Sequence, residues 1–227
     1  MNFRLQNKSA YAQDAFVTAK PFVMLTSIAG IAGVLMLIVS FIINPGAPSN
    51  ATHAQLIAFG NQYYDSILWG AWLQAVGPLL IVLFALGIVF LARYNDRLAG
   101  WMTLLGGGVL MMVSLAEVTF YISALYGDNP LNTANISMDL IGAVQHLYFI
   151  VGAPAVFLPL GAVILGSKVL PRLFGYLAIL LGFAFVLLGV AFLYSLPLPS
   201  GVTAFAGVQA VWWLAAAITL MVRGGRF

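Results

Sequence analysis

Two ionisable residues lie within long apolar runs of this sequence. Glu117 belongs to the third such run and His146 to the fourth. Ionisable side chains inside membrane-spanning segments are costly, and they commonly mark ligand sites, ion paths or proton relays. A carboxyl group can bind a cation or exchange a proton, and an imidazole can accept a proton or share a hydrogen bond. We therefore take Glu117 as the main candidate group and His146 as its partner.

Further polar side chains fall at related positions in the apolar runs. Because each helical residue advances about 1.5 Å, Gln74 and Gln209 reach a similar depth, about 12–14 Å below the outer membrane edge. Tyr121 is one turn from the glutamate on the same face, and Asp139 is two turns from the histidine. The sequence predicts a polar pocket that opens toward the outside. Its predicted ligand- or proton-binding residues are Glu117, His146, Gln74, Gln209, Tyr121 and Asp139.

Equal depth does not determine the direction in which each side chain points, so other interpretations stay open. Glu117 and His146 could satisfy each other and lock two helices together, which is an ordinary role for polar residues in membranes. Together with Asp139 they have ligand types that suit several divalent ions. No compact ligand motif supports a metal, and we predict none. We also predict no cofactor, since the chain has no cysteine and only one histidine within the runs.

Composition indicates the elements that must position these residues. Of 227 residues, 63% are hydrophobic and 7% charged, whereas soluble domains carry about 25% charged residues. A helix needs about 20 apolar residues to cross about 30 Å of hydrocarbon. We therefore predict an all-α fold, with 1–227 forming one polytopic membrane domain of six transmembrane helices. The six runs are roughly 22–43, 66–92, 98–126, 138–166, 171–195 and 202–222.

The basic residues predict how this bundle is oriented. In an alternating six-helix arrangement all nine of them fall on one side, whereas five or seven helices would divide them between the two sides. The positive-inside rule assigns that side to the cytoplasm. We therefore expect both termini to be cytoplasmic in a multi-pass protein of a cell membrane, specifically a prokaryotic inner membrane. The basic residues are Arg4, Lys8, Lys20, Arg93, Arg97, Lys168, Arg172, Arg223 and Arg226.

Two turns between apolar runs resemble each other. Both 93–101 and 168–176 carry basic residues at the first and fifth positions, followed by Leu-x-Gly-aromatic. A parallel duplication relating the hairpins 77–126 and 152–195 would explain this similarity. Convergence would explain it equally, because a tight cytoplasmic turn favours basic residues and glycine. The repeat is one of two open interpretations.

These observations favour a membrane protein that binds or moves a small molecule or a proton at the polar cluster. A non-catalytic subunit or scaffold of a larger membrane complex is the first alternative. A membrane enzyme acting on a lipid-soluble substrate such as a quinone is the second. The sequence leaves catalysis open and favours a role other than an enzyme. We expect membrane lipid as a partner, with other membrane subunits or a homo-oligomer as further options, and no nucleic acid because the basic residues are dispersed.

Overall fold

The computed structural model describes residues 3–44, 51–125, 133–194 and 200–224. Within these ranges the chain is helical and contains no strand. A π-helical segment, Tyr148–Gly152, joins two of the helices. The helices are α1 (Phe3–Ile43), α2 (His53–Gln62), α3 (Tyr64–Leu91), α4 (Leu98–Leu125), α5 (Thr133–Leu147), α6 (Ala153–Leu165), α7 (Arg172–Ala191) and α8 (Ser200–Gly224).

Six helices are long and apolar enough to cross a membrane. The segments are Lys20–Ile43 of α1, all of α3, α4 and α7, Gly207–Gly224 of α8, and one continuous helix, Ile136–Leu165, made of α5, the π segment and α6. Large apolar side chains such as Leu105 and Leu187 are exposed on their outer surfaces, which is stable only when lipid is the surrounding solvent. The prediction of an all-α, multi-pass membrane protein with six transmembrane helices is confirmed.

Small residues let the helix backbones come close together. A Cβ added to Gly33 of α1 would lie 2.7 Å from the carbonyl oxygen of Gly77 in α3. A Cβ added to Gly106 of α4 would lie 1.9 Å from the carbonyl oxygen of Ala155 in α6. Close approach of this kind replaces the hydrophobic drive that lipid cannot supply between helices. It places α3 beside α1, and α4 beside the helix that contains the π segment.

One end of the bundle, which we call the basic end, collects the described basic side chains of the spanning helices and their loops. The Arg223 guanidinium of α8 donates to the carbonyl oxygen of Lys168 at 3.5 Å. The rings of Phe22 and Phe90 lie 4.9 Å apart, so the spanning part of α1 begins where α3 ends. A Cβ added to Gly224 would lie 2.3 Å from a side-chain carbon of α1. Basic residues at this end are Lys20, Arg93, Arg97, Lys168, Arg172 and Arg223.

The opposite end carries α2, and we call it the α2 end. There the Ser40 hydroxyl donates to the carbonyl oxygen of Gly70 at 2.8 Å, which ties the end of α1 to the beginning of α3. Gly60 of α2 lies close to Leu125 at the end of α4. The compartment that each end faces stays a prediction from the positive-inside rule.

The winding of the fourth membrane-spanning helix changes just before Pro154. The Ala153 N–H donates to the carbonyl oxygen of Tyr148, five residues earlier, instead of four. Pro154 has no N–H to offer the carbonyl of Ile150, and its ring would crowd that carbonyl in a regular α-helix. A single π-helical turn widens the helix and relieves this crowding. The turn also rotates α5 relative to α6, which decides which α5 side chains face the bundle interior.

Candidate functional site

A cavity of about 590 Å³ lies among α1, α3, α4, α8 and the helix containing the π segment. Cavities of about 300–1,000 Å³ accommodate small organic ligands in proteins. Most of its wall is aliphatic and aromatic. The polar side chains on its wall are Gln74, Ser114, Glu117, Gln145, Tyr148 and Gln209.

Glu117 is the centre of the polar wall. The Gln74 side-chain amide donates to its Oε2 at 2.7 Å, and the Gln145 amide donates to its Oε1 at 3.2 Å. Each carboxyl oxygen thus has one amide donor, so the carboxyl links α3, α4 and α5. Neither glutamine Oε1 atom has a hydrogen-bond partner within the described part of the chain, so both amide oxygens can accept a bond from a ligand.

The position of Gln74 depends on a proline in its own helix. Pro78 has no N–H, so the carbonyl of Gln74 lacks its usual helical donor. The Ser114 hydroxyl of α4 donates to that carbonyl at 3.0 Å. Neighbouring helices commonly satisfy a carbonyl that a proline leaves free in a membrane. This bond holds α3 and α4 in the register that brings Gln74 to Glu117.

A second polar pair lies across the cavity on α8 and the π segment. The Tyr148 hydroxyl donates to the side-chain oxygen of Gln209. The ring of Tyr148 packs edge-on against Phe149 and Phe185, with centroids 5.9 and 5.8 Å away. The tyrosine therefore has a fixed ring and a fixed hydroxyl, and its bond occupies the side-chain oxygen of Gln209.

The cavity opens to the side of the bundle between α1 and α8. Phe41 and Ile42 of α1 line it while being 68% and 75% exposed. Ala204 and Gly207 of α8 line it and are also exposed. All four lie toward the α2 end of their helices. They stand at the ends of the candidate spans Lys20–Ile43 and Gly207–Gly224, so the opening lies near the α2-end limit of the membrane-spanning part of the bundle.

The structure brings together part of the predicted site. Gln74, Glu117 and Gln209 all line the cavity. Tyr121 is half-buried one turn along α4 and lies within electrostatic range of the Glu117 carboxyl, but it does not line the cavity.

The other two predicted residues are placed elsewhere. His146 is buried with Nδ1 2.9 Å from the carbonyl oxygen of Gly142 and Nε2 3.1 Å from that of Phe192 at the end of α7. Asp139 is exposed. Neither lines the cavity. Among the described residues, no three His, Asp or Glu side chains form a group that could hold a metal ion.

Three wall residues, Ser114, Gln145 and Tyr148, are absent from the sequence prediction. Gln145 precedes the predicted His146 and lies about 100° around the helix from it, because an α-helix has 3.6 residues per turn. The spacing of Gln145, Tyr148 and Phe149 is that of one helical face, and this pattern in the sequence could have identified them. Gln145 carries no ionisable group, whereas the neighbouring His146 does, and an ionisable residue in an apolar run is the stronger sequence signal.

No protein-family model matches the chain, no curated protein matches it, and no solved structure matches it. A fold would not by itself define a function. The function is therefore inferred from the geometry and chemistry of the cavity.

Proposed function

We propose that this membrane protein binds a small, largely apolar molecule in the cavity beside Glu117. The observation that supports the proposal is a carboxyl group with two ordered amides on the wall of an otherwise apolar, partly open cavity. Ligand sites in proteins have this composition, with mostly apolar walls and a few convergent polar groups that orient the ligand. The polar part of the molecule would contact Glu117, Gln74 and Gln145.

A purely structural role for the cluster explains less of the geometry. The hydrogen bonds of Glu117 do join three helices, as polar groups between membrane helices often do. A structural contact would be expected to fill its surroundings, since protein interiors pack densely. Here the carboxyl faces a cavity, and the Oε1 atoms of both glutamines have no described partner.

The route of entry follows from the opening between α1 and α8. Its exposed apolar residues adjoin the spanning segments of both helices, and we propose that apolar molecules enter through it from the neighbouring lipid. Toward the basic end, Ile88, Leu160, Ile164 and Leu220 are fully or almost fully buried between the helices. A second cavity of about 570 Å³ also lies in this half, among α1, α3 and α4, and its lining shares no residue with that of the first. The proposal therefore concerns binding, and passage to the other side would require the buried residues between the two cavities to separate.

We further propose that the basic end faces the cytoplasm of a prokaryotic cell. The described basic residues gather at one end of the bundle, and cytoplasmic loops carry the excess of lysine and arginine. The cavity then opens in the outer half of the membrane.

Binding can be tested with the purified protein in lipid nanodiscs and a neutral apolar dye, N-phenyl-1-naphthylamine, whose fluorescence rises in apolar surroundings. Gly207→Phe and Gly108→Phe form a matched pair. A Cβ added at either glycine meets nothing within 4 Å, but only Gly207 lines the cavity. Both variants should fold, because neither new side chain begins in occupied space.

We expect saturable dye binding to the natural protein and to Gly108→Phe above the background of empty nanodiscs. Gly207→Phe should weaken it at least about tenfold, because the new ring occupies the cavity mouth. Absence of saturable binding to the natural protein, or equal affinity of the two variants, would refute the proposed function.

A further inference from the structure

We infer that the molecule taken up by this cavity is an organic cation: one positive charge on an apolar, ring-bearing body. This inference rests on the proposed function, because it assigns a ligand class to the same site. It is drawn from the charges, the hydrogen-bonding groups and the aromatic rings of the cavity wall.

The ionisable side chains on the described cavity wall include an acid but no base. Glu117 is its only acidic residue, and no lysine, arginine or histidine lines the cavity within the described part of the chain. The described basic residues of the spanning helices and their loops lie at the basic end, away from the opening. A charge in a weakly polar medium is stable only when it is paired. The ionised carboxyl would attract a cation and repel an anion, and an anion would find no cationic side chain on this described wall.

The free hydrogen-bonding groups near the carboxyl also favour a positive ligand. The amides of Gln74 and Gln145 already point one N–H each at Glu117. Within the described structure each amide keeps one further N–H and a carbonyl oxygen with two lone pairs, and the carboxylate has lone pairs left as well. Acceptor sites beside the carboxyl therefore outnumber donors. An ammonium group is a donor without acceptor capacity, so it complements this arrangement.

Aromatic rings form much of the remaining wall. Phe41, Tyr148, Phe149, Phe157 and Trp213 all line the cavity. The rings of Phe157 and Trp213 are 5.0 Å apart, and those of Tyr148 and Phe149 are 5.9 Å apart. The negative face of an aromatic ring attracts a cation, most strongly where water is excluded. The same rings pack against an apolar body, so the wall suits both parts of such a ligand.

A proton and the organic cation would compete for Glu117. In the described ranges of the chain, the titratable groups in electrostatic range of this carboxyl are Tyr121 on its own helix and Tyr148 on the π segment. His146 follows Gln145, but its ring nitrogens contact backbone carbonyls away from the cavity. Acidification neutralises the carboxyl and removes its attraction for the cation, so cation affinity must fall as pH is lowered. The affinity for a neutral ligand has no such dependence on this charge.

Tetraphenylphosphonium and tetraphenylborate are suitable probes, because they have nearly the same shape and apolar surface but opposite charge. Binding of each to the protein in zwitterionic nanodiscs can be measured by equilibrium dialysis. The variant Glu117→Gln removes the charge and keeps the shape. Asp65→Asn is the matched control, since it removes one exposed carboxylate that does not line the cavity.

We expect saturable phosphonium binding to the natural protein and to Asp65→Asn, and at least about tenfold weaker binding to Glu117→Gln. Tetraphenylborate should show no saturable site. Phosphonium affinity should decline on acidification in the natural protein and stay constant in Glu117→Gln.

The cation inference is overturned if the two ions bind equally or if Glu117→Gln leaves phosphonium affinity unchanged. Binding of the neutral dye, sensitive to Gly207→Phe, would then show that the proposed function survives alone. The same dye also shows that Glu117→Gln is folded. Loss of dye binding by the natural protein as well would overturn both proposals.

Discussion

Adding one methyl group at Gly106 tests the packing that holds Glu117 against α5. The alanine Cβ would lie 1.9 Å from the carbonyl oxygen and 2.4 Å from the carbonyl carbon of Ala155. Both atoms belong to the backbone, so no side-chain rotation relieves the contact. Pro159 follows Ala155 by four residues and offers it no N–H. The Ala155 carbonyl can therefore lie directly against Gly106.

The expected loss of stability in Gly106→Ala follows from these distances. Close carbon–oxygen contacts in proteins are about 3.3–3.6 Å, so α4 and α6 must separate by about 1.4 Å at this point. Overpacking of a filled interior costs about 1–3 kcal/mol. Gly108, two residues later, is exposed and has nothing within 4 Å of an added Cβ. Gly108→Ala gains only the helix preference of alanine, about 0.8–1 kcal/mol. Both variants share that gain, so the difference between their free energies of unfolding measures the contact with the Ala155 backbone.

The assay is thermal unfolding of the two purified variants in the same detergent. A difference of 1 kcal/mol shifts the melting temperature of a 150–250-residue domain by about 2–4 °C. Gly106→Ala should therefore melt about 2–12 °C below Gly108→Ala. It should also weaken binding at the cavity, because Glu117 lies three turns along the same face and its 3.2 Å bond from Gln145 would lengthen. Equal melting temperatures would show that α4 and α6 do not pack as described.

Four further experiments test other parts of the structure. Arg93 has a φ of 56°, so Arg93→Gly should remove about 1 kcal/mol of left-handed strain and raise the melting temperature; an unchanged or lower value would contradict that geometry. Asp139→Asn should leave dye and phosphonium binding unchanged, because Asp139 is exposed and outside the cavity wall. Weakened binding would show that Asp139 contributes to the site. Tyr148→Phe removes the hydroxyl that donates to α8 and should lower the free energy of unfolding by about 0.5–1.5 kcal/mol in denaturant titrations, and no loss would mean that the bond is not formed. Because the chain has no cysteine, Asn61→Cys and Asp96→Cys, both at exposed positions, can be labelled singly with a membrane-impermeant maleimide. Intact cells should label only Asn61→Cys, and the reverse pattern would invert the orientation.

The all-helical architecture and the number of membrane helices could be read from the sequence. Hydropathy gives the length of each apolar run, and a helix of about 20 apolar residues is long enough to cross the hydrocarbon. No tertiary information is needed for this, because backbone groups in lipid must be satisfied within the helix itself. The structure adds that α1 continues from its spanning part back to Phe3. The duplication of 77–126 and 152–195 stays a prediction.

The relative height of residues along the bundle could also be predicted from the sequence. A helix rises about 1.5 Å per residue whatever its neighbours are, so Gln74, Glu117 and Gln209 could be assigned to one level before any contact was known. All three line the cavity. The apolar wall that α1 contributes had no such signal, since an aliphatic residue facing a cavity and one facing lipid have the same composition.

Rotation about each helix axis was decided only by the tertiary structure. One residue along a helix turns the side chain by about 100°, and the sequence could not choose between Gln145 and His146 as the residue facing Glu117. Packing of glycines against neighbouring backbones and the π turn before Pro154 set that rotation. They direct Gln145 to the carboxyl and His146 to the end of α7. Height along a helix is a local property of the backbone, whereas the direction of a side chain depends on contacts with other helices, which a single sequence does not display.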